Sequence, residues 1–132
     1  MHYEAEEFLK RLEPIVSLTS AGEVVLLTNV GTAEEAIIAC LVAQYLAHKA
    51  ARTSKETLSV DDLIAAGGLA HTLARQTVYN ATSRLSRNRI VQKLGNEFFV
   101  NERIVLQYVA AKLPQYLKDL NMEALPERSE QR

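Results

Sequence analysis

Within a few residues of Leu85 the apolar spacing of this chain changes from that of a helix to that of a β-hairpin, and few folds accommodate the change. Ala74, Val78, Ala81 and Leu85 recur at three- and four-residue intervals, which predicts a helix over 73–86 with Thr72 as its cap. Two β-like runs follow at once, Arg-Ile-Val-Gln-Lys at 89–93 and Glu-Phe-Phe-Val at 97–100. Gly95-Asn96 lies between them and favours a tight hairpin turn.

The segments before and after this unit read mostly as helix. Ser59 can cap a short helix whose Asp61 and Asp62 sit at the positive end of the dipole. Leu63, Ile64 and Ala66 form its apolar side, and Gly67-Gly68 stops it. Further upstream, Thr32-Ala33-Glu34-Glu35 is a capping box. It opens the strongest helix of the chain, with Ile37, Ile38, Leu41, Val42, Tyr45 and Leu46 on a wide apolar face and a polar loop at 51–56 behind it. At the start, Ala5, Phe8, Leu9 and Leu12 predict an amphipathic helix over 3–13, which Pro14 ends or bends. Residues 17–22 read as a loop, and 24–28 as a short strand or an apolar lead into the next helix. Asn101 caps a last helix carrying Ile104, Val105, Tyr108, Val109 and Leu113, which Pro114 kinks or restarts and which continues to about 121. Residues 126–132 are polar and expected to fray. The expected fold class is mostly α with a small β-hairpin.

The stretch Thr77-Val78-Tyr79-Asn80-Ala81-Thr82-Ser83-Arg84-Leu85-Ser86-Arg87-Asn88-Arg89-Ile90-Val91 resembles the winged helix-turn-helix family at the junction of recognition helix and first wing strand. Asn88 stands where many members have glycine, and asparagine also tolerates the left-handed conformation. The resemblance covers about 60 residues and implies a winged helix at 32–113. Residues 1–31 would then be an N-terminal helix and connecting segment, and 114–132 a helical extension with a polar tail. It also implies a nucleic-acid ligand, with double-stranded DNA first and sequence-specific transcriptional regulation as the role. RNA, or a protein partner in a larger assembly, is the alternative.

The charge pattern agrees with that expectation independently of any family. Residues 71–96 carry Arg75, Arg84, Arg87, Arg89 and Lys93 and no carboxylate, inside a chain whose formal net charge is −1. Residues 1–31 are acidic by contrast. If Ala74, Val78, Ala81 and Leu85 face the core, Arg75, Gln76, Tyr79, Asn80, Ser83 and Arg87 face outward or lie on the flank. Arg, Gln and Asn can each pair with two atoms of one base edge. Tyr79, Thr82 and Ser83 can bond phosphates, and Arg84 and Arg87 can neutralise them. Arg89 and Lys93, four residues apart, would share one face of the first wing strand and reach phosphates or a minor groove. Tyr108, Leu113, Tyr116, Leu117 and Leu120 offer either core packing or, with the N-terminal helix, a homodimer surface.

Other chemistries find little support. Cys40, the single cysteine, excludes an internal disulfide, fits a reducing compartment, and lies in an apolar helical run as a small hydrophobe. His2, His48 and His71 lack paired spacing with carboxylates or the thiol, so no metal site, cofactor or catalytic centre is expected. Gly67-Gly68 lacks the following Gly-Lys-Ser/Thr of a phosphate loop. The first residues lack a signal peptide's layout and no apolar run reaches membrane-spanning length, so a cytoplasmic protein is expected.

Overall fold

A computed structural model of the chain describes residues 2–120. The expected end of the last helix at 121 and the polar stretch 126–132 lie outside the described residues. The architecture is mostly helical, with two small antiparallel sheets.

Helix α1, His2–Leu12, buries Ala5, Leu9 and Leu12 and stops just ahead of Pro14. The chain then forms a short hairpin of β1, Val16–Leu18, and β2, Val24–Leu26, with Val16 opposite Leu26. Strand β1 falls in part on a segment expected to be loop. Its turn needs Gly22, where φ is +84° and any Cβ would stand 2.4 Å from the carbonyl oxygen of Arg52.

Helix α2, Ala33–Lys49, is the centre of the molecule. Its capping box forms as expected: the Glu35 amide donates to the Thr32 hydroxyl and the Thr32 amide to the Glu35 carboxylate. Ala36, Ile37 and every residue from Ala39 to Ala47 are buried. The expected apolar face is thus an apolar circumference, because α1 and both sheets, together with later helices, pack around it. Even Gln44 is buried, and its amide donates to the carbonyl of Lys55 at 2.6 Å.

Strand β3, Leu58–Ser59, runs directly into α3, Val60–Gly67, through a second capping box of Ser59 and Asp62. Gly68 ends α3 at φ +54°. Leu73 is buried and packs so close to Gly67 that a Cβ there would meet it at 3.3 Å. This packing holds the connection extended, and α4 spans Arg75–Arg87 with Ala74 as an N-cap that makes no side-chain bond. The expected start at Leu73 with a Thr72 cap is therefore two residues early, and Ala74 is exposed. Val78, Ala81, Thr82 and Leu85 form the buried side of α4.

Strands β4, Gln92–Leu94, and β5, Glu97–Phe99, make the expected hairpin around Gly95-Asn96. Strand β3 adds to the far edge of β5, so the sheet has three strands in the order β3-β5-β4. Asn101 caps α5, Glu102–Gln107, through its Oδ1. One wide turn of π geometry, Tyr108–Lys112, leads into α6, Leu113–Asp119. Pro114 lacks the N–H that would continue the ladder and needs room around the preceding turn, which the widened turn supplies. Tyr108, Leu113 and Leu117 are buried within their own chain and Tyr116 is partly so. One continuous core runs from Ala5 to Leu117. Among the described residues no helix is long and apolar enough to cross a membrane.

Candidate nucleic-acid interface

Helix α4 turns three different sides to its surroundings. Opposite its buried side, Gln76, Asn80, Ser83 and Arg87 form the outermost stripe, and all are exposed. Gln76 donates from Nε2 to Asn80 Oδ1 at 3.0 Å, one helical turn away. No carboxylate stands on α4 at all.

On one flank Arg75 and Tyr79 face a cleft of about 600 Å³ between the start of α3, α4 and the β4–β5 hairpin. Thr82, Ser83, Arg87 and Lys93 also line it, so six of the ten expected contact residues meet around one concavity. The ammonium of Lys93 lies 5.9 Å from the centre of the Phe98 ring. Ser86, unremarked in the sequence, lines the same cleft with its Oγ buried and without a protein hydrogen-bond partner.

Three expectations need correction. The Thr82 hydroxyl is buried and donates to the carbonyl of Val78 at 2.8 Å, so it does not face a phosphate. Arg89 is not on the first strand, which starts at Gln92, and shares no strand face with Lys93. It occupies the turn after α4 at φ +61°, whereas Asn88 has φ −87°. The left-handed position expected at Asn88 thus falls one residue later.

The basic window is also less basic in space than in sequence. Arg75 pairs with Asp61 at 2.6 Å, and Arg84 pairs with Glu34 from the start of α2. Lys55, from the loop after α2, sits between Asp62 at 3.1 Å and Glu97 at 3.4 Å. Burial works against the Asp62 carboxyl, but the Ser59 amide and the Lys55 ammonium outweigh it and hold its pKa below the usual value. The hydrogen bond to Asp62 in turn raises Lys55. Among the described residues Arg87, Arg89 and Lys93 have no carboxylate within ion-pair range.

Asp61 and Lys55 escaped the sequence reading for different reasons. Asp61 had a sufficient explanation as a helix start, and Lys55 lies 42 residues from Glu97. Cys40 is fully buried, and desolvation pushes its thiol up to about 12, so it is no nucleophile at neutral pH. No group of three metal-ligating side chains forms among the described residues. No protein-family model, curated protein or solved structure matches the chain.

Proposed function

We propose that this chain is a winged-helix protein that binds double-stranded DNA, placing α4 in the major groove and the β4–β5 hairpin against the backbone. The observation that carries the reading is the outer stripe of α4, Gln76, Asn80, Ser83 and Arg87: exposed, rich in hydrogen-bonding groups, and free of carboxylate. A helix of this kind fits a groove about 12 Å wide, and its side chains are those that read base edges and bond phosphates. The order α3, α4, β4, β5, with β3 completing the sheet, is compatible with a winged helix. A small regulator of transcription in the cytoplasm is the role this binding serves.

The test is fluorescence anisotropy of a labelled duplex over a range of salt. Binding is expected at low salt, and Arg87→Ala or Lys93→Ala each weakens it on every sequence and lowers the salt slope by about one unit. If no duplex binds at low salt, the DNA reading is wrong. Where a duplex binds, the mass of the complex decides between one copy and two.

A second reading, a protein-interaction module, draws on Leu69 and Leu94, which are exposed in the α3–α4 connection and the hairpin. It leads if duplex and single strands alike fail to bind.

A further inference from the structure

We infer that α4 reads an A·T base pair at the centre of its contact, through Gln76 and Asn80 acting as one unit; the inference rests on the DNA reading above. The two amides lie one turn apart on the outermost stripe and are exposed. The bond from Gln76 Nε2 to Asn80 Oδ1, at 3.0 Å, fixes each amide against the other. It uses one proton of the first and one lone pair of the second. Left over are the Gln76 carbonyl oxygen as an acceptor and the Asn80 amide group as a donor. Among the described residues no other hydrogen bond engages either.

An acceptor beside a donor is what the major-groove edge of adenine requires, since it offers N7 to accept and the N6 amino group to donate. Guanine offers two acceptors there, and an arginine fork meets them best. The arginines that could supply that fork ahead of the last residue of α4 are engaged elsewhere. Arg75 is held by Asp61 at 2.6 Å on the cleft side, and Arg84 by Glu34 on the opposite flank. Both point away from the stripe on which Gln76 and Asn80 sit. Arg87 is the last residue of the helix and lines the cleft beside the hairpin, a place suited to a phosphate. The flanking ion pairs therefore do more than neutralise charge. They engage two of the three arginines of α4, the third being Arg87 at its end, and leave the first half of the outer stripe to a linked pair of amides.

The experiment is selection of the full chain against a library of random duplexes, followed by base-analogue substitution. Selected sites are expected to share one A·T pair with adenine in a constant strand. Replacing that adenine by 7-deazaadenine, which lacks the N7 acceptor, should weaken binding about tenfold. In the Asn80→Ala variant the ratio of affinities for selected over random duplex should fall by a similar factor, and the analogue should then make no difference. Because the analogue test uses the unaltered protein, it holds even if the variant folds poorly. Selected sites that share a guanine sensitive to 7-deazaguanine would overturn the inference, as would binding with no shared position. Both outcomes leave DNA binding itself standing. Failure to bind any duplex at low salt removes the inference and the DNA reading together.

Discussion

Arg89 is a residue in the wrong conformation for its type. The amide of Ile90 donates to Leu85 O and that of Arg89 to Ser86 O, both at 3.0 Å, which closes α4 with the two bonds of a Schellman motif. Glycine usually occupies the left-handed position of that motif, and an L-residue there costs roughly 1–2 kcal/mol. An exposed arginine that makes no ion pair among the described residues gives nothing back to the fold for that cost. Its charge is the return, if the turn meets phosphates. Arg89→Gly is therefore expected to raise the urea midpoint, by about 0.5–1 kcal/mol in stability, while weakening duplex binding at low salt. A glycine variant that binds duplex as well as the parent would remove Arg89 from the interface. The position of this residue also shows what a sequence reading misses. Asn88 and Arg89 both follow the last helical turn, and only the register of the closing hydrogen bonds decides which one turns left-handed.

At the scale of elements, the legible parts were those with a local cause. Helix α2 has its capping box within four residues, and the hairpin has Gly95-Asn96 between its strands. The two-residue strand β3 has no period to detect and exists because β5 offers it an edge. The start of α4 depended on Leu73 finding Gly67, a contact across a turn. The candidate site was half legible for the same reason. Its outer stripe follows from helical spacing, whereas the partners of Arg75 and Arg84 come from 14 and 50 residues away, both outside the basic window at 71–96.

The start of α2 also carries a pH prediction. The Thr32 amide, the largest influence, holds the Glu35 pKa below the usual carboxylate value, and the Tyr116 hydroxyl adds to it by donating to Glu35 Oε2 at 3.0 Å. A carboxyl whose pKa is lowered by folding stabilises the native state fully above its unfolded pKa and loses that contribution as pH falls through the folded value. Between about pH 5 and pH 3 the parent should lose more stability than Glu35→Gln, measured by urea unfolding at each pH. Equal losses would mean that Glu35 is not linked to folding.

Over the whole molecule, one core joins the first helix to the last, and α2 passes through its middle. The acidic N-terminal third and the basic segment of α4 share that core, and Glu34 of the first pairs with Arg84 of the second, so the two charge patterns meet at the start of α2. Cys40, fully buried on α2, lies at the centre of that arrangement. Its burial makes the lone thiol a clock. A thiol reagent reaches it only when the layers around α2 part, so the rate of labelling in native buffer reports how often the core opens. Labelling should accelerate in step with unfolding as urea is added. A ligand that binds only the native state should slow it in proportion to occupancy. The same sulfur that does no chemistry in the fold would then register, without any attached dye, whether a given duplex has been bound.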